Sequence, residues 1–304
     1  NPRGNGMPNG KCNMKLLICI VTLADVFQFS GCEKSPSATS QIAVSKETEK
    51  RPTSHAKLTS EDEFAFILKN AEAQDANAQY EVSKRYRAGM GVEKDIKQSI
   101  HWLKQSASSG NVDAQVDLGI IYEYGRDGEP KNVDSAYRLY EAAAAAENVK
   151  GMFYLGSAYA SGSGTKTDNA KALALITKSA NAGYPLAQFK LGNAYARGNL
   201  GLKRDEKKAL EWFERIVAQN DPEWLERVGL IYFMLDNPKI REGYDLTVRA
   251  AESGRVQSQS RLCTYIDRYK SLVSERDKKL GWCTKAAEAG DLEALVEIAQ
   301  MYRN

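Results

Sequence analysis

One small-residue position recurs along this chain at a spacing that few folds can accommodate. Gly192 lies in the stretch Tyr184 to Asn220, and its equivalents elsewhere are Ser83, Gly119, Gly156, Gly229, Cys263 and Ala299. In chain order, with Gly192 in its place, the separations are 36, 37, 36, 37, 34 and 36 residues. A second register agrees, since Gly110, Gly183, Gly254 and Gly290 recur at matching phase. Self-similarity at this period specifies a solenoid of stacked helix pairs, because one pair cannot bury its apolar face without its neighbours.

Within the Tyr184–Asn220 unit, Ala187, Leu191, Gly192, Ala194 and Tyr195 fall on one helical face at three- and four-residue steps. Ala209, Trp212, Phe213 and Ile216 do the same in a second helix that Asp205 caps. Gly198 and Gly201 supply the backbone freedom of the reversal between them. A small residue at position 192 lets the paired helices approach, and Tyr195 fills the space one turn on. Folding begins near Ser60, where Ser60 and Glu63 have capping-box spacing ahead of Phe64, Ile67, Leu68 and Ala71, giving a lone capping helix over 58–76. The fifth unit departs from the pattern, with Asp236-Asn237-Pro238 in place of paired glycines and Leu246 in place of a tryptophan. A seventh first helix ends the chain.

These residues resemble the Sel1-like repeat, a relative of the tetratricopeptide repeat. The second unit offers Ala114, Leu118, Gly119 and Tyr122; the third Leu155, Gly156, Tyr159, Gly162, Gly164, Lys171 and Ala172. The first unit offers Ala78, Tyr86, Gly89, Gly91, Val92, Asp95, Trp102 and Gly110, and the sixth Trp282, Lys285, Ala286, Ala287 and Gly290. The resemblance implies an all-α, right-handed α-solenoid of stacked antiparallel helix pairs, with six repeats and a partial seventh over 77–304. It also implies that first helices line a concave face. The residue after the close-packed position then points into that face, which selects Lys84, Ile120, Ser157, Asn193, Leu230 and Thr264. One turn further lie Arg87, Glu123, Arg197 and Phe233. Apolar Ile120, Leu230 and Phe233 amid charges read as anchors of a recognition groove, so Lys84, Arg87, Ile120, Glu123, Asn193, Arg197, Leu230 and Phe233 are the candidate partner-binding residues. The series Tyr80, Val116, Phe153 and Phe189 is apolar too regularly for that role and reads as core.

The N-terminus reads as targeting rather than fold. Residues before Met14 read as upstream translation; Lys11 and Lys15 flank a start at Met14, and the apolar run that follows, Leu16 to Ala24, is too short to span a bilayer. Phe29-Ser30-Gly31-Cys32 resembles the lipobox of bacterial lipoproteins. The resemblance implies cleavage after residue 31, lipid on Cys32 and, with Glu33 following, sorting to the outer membrane. Residues 32–57 then form a Ser-, Thr-, Lys- and Glu-rich tether that reaches roughly 25 to 30 Å as a random coil.

A net charge of +3, falling to +1 without the first 31 residues, gives no electrostatic reason to expect a nucleic-acid partner. The two histidines, His55 and His101, have no partner at metal-ligand spacing. The Gly89-x-Gly91 and Gly162-x-Gly164 loops join helix to helix with no preceding strand, so they are turns rather than phosphate cradles. No catalytic constellation, cofactor or small-molecule substrate is expected. Cys263 takes the close-packed small position and Cys283 the buried position of Phe213, so both face one crossing. In an oxidising compartment they either bridge or pack as two small thiols.

The expectation is a non-enzymatic, periplasm-facing lipoprotein that binds a protein partner, as an envelope scaffold or adaptor. The family resemblance adds an alternative, an immunity protein that neutralises a secreted effector such as a phospholipase. It adds a remoter one, a β-lactam-binding or -hydrolysing enzyme.

Overall fold

The computed structural model describes residues 59–303 except 236 and 237. The leader, Cys32 and the tether lie outside the described residues, as do Asp236 and Asn237 of the fifth turn. The described residues form fourteen α-helices of near-uniform length and no strand. A first helix, α1 (Ser60–Glu72), precedes six pairs: α2 (Ala76–Ala88) with α3 (Ile96–Ser108), α4 (Val112–Tyr124) with α5 (Val133–Ala145), and α6 (Val149–Ser161) with α7 (Asn169–Asn181). Then come α8 (Pro185–Arg197) with α9 (Glu206–Val217), α10 (Pro222–Met234) with α11 (Ile240–Glu252), and α12 (Val256–Arg268) with α13 (Arg276–Glu288). Helix α14 (Leu292–Arg303) closes the order, and a 3-10 segment over Lys270–Glu275 forms the turn of the sixth pair. Each helix packs on the one before and the one after it, which makes a solenoid of stacked pairs.

Local chemistry explains the helix ends. Asp95, Asn132, Asp168 and Asp205 accept the backbone N–H three residues on, capping the second helices of the first four pairs. First helices α2, α4, α6 and α8 stop at Gly89, Gly125, Gly162 and Gly198, each left-handed with φ between 64° and 76°. The N-terminal capping box forms one residue earlier than expected, between Thr59 and Asp62, whose side chains each accept the other's backbone N–H. Glu63 turns instead to Arg85, 3.5 Å away.

The close-packed position is the eighth residue of every first helix; in the second to sixth pairs it faces the eighth residue of the second helix, and in the first pair Ser83 donates its hydroxyl to the Ser99 carbonyl at 2.8 Å. A Cβ on Gly119 would stand 2.5 Å from Tyr140, one on Gly156 2.9 Å from Ile176, and one on Gly192 2.6 Å from Phe213. Small on one helix and large on the other is the rule in these three pairs. The fifth pair keeps the close approach differently. Its backbones meet directly, so that a Cβ on Gly243 would lie 2.9 Å from the Gly229 carbonyl oxygen, and Leu246 is buried where the tryptophan was expected. In the sixth pair Cys263 and Cys283 form a disulfide with 4.9 Å between Cα atoms.

Glutamines, buried except for half-buried Gln115, tie four first helices to the helix before them. Gln79, Gln115, Gln188 and Gln259 donate Nε2–H to the carbonyls of Ala71, Ala107, Ala180 and Ala251 at 3.0–3.3 Å. Each adds a second hydrogen bond to a carbonyl near the end of the preceding helix that also accepts a backbone N–H from the turn after it.

Candidate protein-binding face

The sixth residues of α2, α4, α6 and α8 are Glu81, Asp117, Tyr154 and Lys190, three residues before the selected Lys84, Ile120, Ser157 and Asn193. They share that helical face. Tyr80 donates its hydroxyl to Asp117 Oδ2 at 2.6 Å, linking α2 to α4. Lys190 Nζ donates to Ser157 Oγ at 3.0 Å, linking α8 to α6, and lies 5.7 Å from the Phe153 ring centroid.

Burial dominates the electrostatics here. It pushes the Asp117 carboxyl above its ordinary range, and the Tyr80 hydrogen bond and the Lys150 charge only partly offset it. Glu123 is raised in the same way, with the Tyr140 hydroxyl donating to it at 2.9 Å. Lys190 is lowered by burial, opposed by the charge of Glu123. Tyr154 is raised by burial with Tyr184, Tyr124, Asp117 and Glu123 around it. A strip of half-buried groups therefore runs across four successive first helices, and in Asp117, Tyr154 and Lys190 burial opposes the charged form.

Toward the C-terminus the buried charges are instead matched in ion pairs. Glu226, 3% exposed, binds Arg255 at 2.5 Å and also Arg261. Lys279 is held by Asp267 and by Glu297, the latter at 3.0 Å. Glu275 is drawn down to about 2 by hydrogen bonds from Lys278 and Arg241. These charges consolidate the last pairs.

Of the residues selected from sequence, Lys84 is exposed and pairs with Glu81 at 2.6 Å, and Arg87 pairs with Asp127 at 2.8 Å. Ile120, Asn193 and Leu230 are half-buried and Arg197 is exposed. Glu123 is engaged by Tyr140 rather than free. Phe233 is a correction: it is 8% exposed and belongs to the core, edge-on to Tyr265 at 4.9 Å and stacked on Tyr269 at 5.2 Å. The 3-10 turn brings Tyr269 over it, and that turn left no mark in the repeat pattern. Asp117, Tyr154 and Lys190 were missed. Stepping back one turn from the ninth residue, rather than forward, would have found them.

Among the described residues no group of three His, Cys, Asp or Glu side chains is placed to hold a metal ion. No helix among them is long and apolar enough to cross a membrane. His101 sits at the surface beside Gln105 and edge-on to Trp102.

A stack of helix pairs with a chemically varied strip along its first helices defines a repeat scaffold for protein–protein contact. The chain belongs to the Sel1 repeat family, whose repeat matches residues 76–111, 112–148, 149–184, 185–221 and 280–291, more than half of its length. Solenoids of this family bind protein partners. An uncharacterized Neisseria meningitidis protein is 27% identical over 208 residues, 66% of this chain and 41% of that one. The chitin synthase regulator SKT5 of Saccharomyces cerevisiae is 24% identical over 249 residues, 77% of this chain and 36% of its own. The Sel1-repeat-containing protein YjcO of Escherichia coli is 31% identical over 157 residues, covering 50% of this chain and 65% of YjcO. The chain thus spans less than half the length of the first two of these relatives. A crystal structure of a Sel1 repeat protein from Oxalobacter formigenes superposes with a TM-score of 0.62 at 23% identity, over 81% of this chain and 71% of that one, which shows the shared fold.

Proposed function

We propose that this chain is a periplasm-facing, non-enzymatic lipoprotein that uses the strip across α2, α4, α6 and α8 to hold a protein partner at the cell envelope. The observation that carries the reading is the strip of Asp117, Tyr154 and Lys190. Burial opposes the charged form of the aspartate and of the lysine. Such groups lower the stability of the solenoid that carries them, which supports assigning them to recognition. Ile120 beside them supplies an apolar anchor at the same level. The lipobox-like residues before Cys32 support the anchor, and Glu33 supports the outer membrane.

Affinity capture from envelope extracts tests the face. Wild-type protein is expected to retain a partner that the Asp117→Asn/Lys190→Met double variant loses, with helicity and melting preserved or improved. Ile120→Glu with Leu230→Glu is expected to lose it too. Equal capture by all three proteins would refute the assignment. The identity of the captured protein separates an envelope adaptor from an inhibitor of a delivered effector. The anchor has its own test: metabolic labelling with an alkyne fatty acid is expected to mark the wild type and not Cys32→Ser, and an unlabelled wild type would remove the lipid from the reading.

A further inference from the structure

We propose that a cleft beside the first helix pair receives the side-chain carboxamide of a glutamine presented by a partner protein. The cleft, of about 350 Å³, lies where the turn after α1, the start of α2 and the end of α3 meet, with Gln74, Gln79, Lys104, Ser108 and Ser109 in its wall. Gln79 is 2% exposed and gives its Nε2–H to the Ala71 carbonyl at 3.2 Å. Its Oε1 is buried and receives no hydrogen bond from the described residues. A buried acceptor left unpaired lowers stability, so this oxygen requires a donor.

The fourth pair shows which donor fits. There Gln188 takes the position of Gln79 and gives its Nε2–H to the Ala180 carbonyl at 3.1 Å. Its Oε1 accepts from Gln219 Nε2 at 2.9 Å, and the same amide nitrogen reaches the Gly183 carbonyl at 3.3 Å. Gln74 and Gly183 each precede the N-cap of their first helix and share a left-handed backbone, with φ of 67° and 90°. Counted back from the N-caps Asn111 and Asp221, Ser109 stands where Gln219 does. The first pair therefore repeats the two acceptors of the fourth, and its serine is too short to bring an amide to them. Gln219 is itself exposed, so a carboxamide reaches this level from the surface.

The chemistry of the wall selects the group. Two neighbouring acceptors favour a nitrogen with two hydrogens, which a hydroxyl cannot replace, and a carboxylate has no hydrogen to give Gln79. An ammonium or guanidinium group would carry like charge up to Lys104 and would offer no acceptor to its N–H groups or to the Ser109 hydroxyl. A carboxamide meets both demands: its NH₂ serves Gln79 and the Gln74 carbonyl, and its oxygen accepts from Lys104, which keeps donors beyond the one it gives Glu129 at 2.7 Å. This cleft shares no residue with the strip of Asp117, Tyr154 and Lys190 and does not depend on what that strip binds.

Titration of the isotope-labelled full chain, followed by nuclear magnetic resonance, tests the slot. N-acetylglutamine N-methylamide is expected to shift the side-chain Nε2 signal of Gln79 and the backbone amides of Gln74 and Ser109. N-acetylmethionine N-methylamide, of similar shape but without the carboxamide, is expected to bind about tenfold more weakly or less, for want of those hydrogen bonds. Ser109→Gln supplies the donor from within the chain, and is expected to abolish the shifts and raise the melting temperature by about 2–4 °C. Gln219→Ser makes the reverse change, and is expected to lower the melting temperature and bring the probe's shifts to Gln188. No shift at Gln79, equal binding of the methionine probe, or undiminished binding by Ser109→Gln would overturn the proposal. Acetamide bound as tightly as the capped glutamine would overturn the side chain as its source, since acetamide lacks the methylene stem. Positions 109 and 219 are exposed, and circular dichroism verifies the fold. Should Ser109→Gln lose helicity, Gln79→Met removes the acceptor at similar length and is expected to lose the probe.

Discussion

A Cβ atom placed on Gly192 would come within 2.6 Å of Phe213 Cε1, so the absence of one side chain makes room for an aromatic ring from the opposing helix. Phe213 is fully buried as a result and joins the cores of adjacent pairs through Phe189, 5.9 Å away between ring centroids. Gly192→Leu is expected to cost about 3 kcal/mol by over-packing, and Phe213→Ala about 3–5 kcal/mol by leaving a cavity. The double variant is expected to cost clearly less than the sum, because the leucine enters the space the ring vacates. Urea denaturation of the four proteins measures the coupling.

The second glycine of each turn is not equally demanding. A Cβ on Gly91 would lie 2.1 Å from the Ser60 carbonyl oxygen, and one on Gly164 2.4 Å from that of Val133. One on Gly201 would meet nothing within 4 Å, although its φ of +78° is also left-handed. Gly201→Ala should therefore cost only the backbone strain, about 1 kcal/mol. Gly164→Ala adds a clash with the preceding second helix and is expected to cost about 2–4 kcal/mol. Thermal melting of both variants separates the two contributions.

The disulfide stands where other pairs oppose small to large, and it closes a separation of 20 residues. Reduction is expected to lower stability by about 3 kcal/mol in the chain-entropy model. The core at the crossing also loses its filler, since two thiols replace a pair such as Gly192 and Phe213. Cys263→Gly/Cys283→Phe is expected to be indifferent to reductant and more stable than Cys263→Ala/Cys283→Ala. Melting curves with and without reductant provide the measurement.

Two carboxylates give pH dependences of opposite sign. The folded pKa of Asp117 is raised, so its native state prefers the proton and is destabilised as pH rises through that value. Asp117→Asn should therefore raise the melting temperature at neutral pH and lose that advantage below 3.8. Glu275 is lowered from 4.5 to about 2, so its contribution is present above 4.5 and fades as pH falls toward 2. Glu275→Gln should flatten the acid limb without any gain at neutral pH. Melting temperatures from pH 2 to 8 for the two variants and the wild type distinguish the cases.

Much of the architecture was legible in the residues because its determinants are local and repeated. The interval between Gly119, Gly156 and Gly192, with a tyrosine three residues after each, specifies a helix pair wherever it occurs. The recognition face was legible only in part. Lys84, Ile120, Asn193 and Arg197 keep part of their surface in solvent, as the proposed face requires, but Phe233 does not, because the 3-10 turn after α12 brings Tyr269 over its ring. Asp117 and Lys190 were not selected, since neither burial nor the hydrogen bonds to Tyr80 and Ser157 on other first helices leave a mark at a single position.

By itself the sequence determined the repeat, its length, and which helix of each pair carries the small residue, because those follow from periodicity and side-chain volume along one chain. Tertiary structure alone decided which charges are desolvated and which aromatic ring is core rather than anchor. Those properties depend on what stacks against each face, and stacking relates residues some 36 positions apart that sequence neighbours cannot reveal.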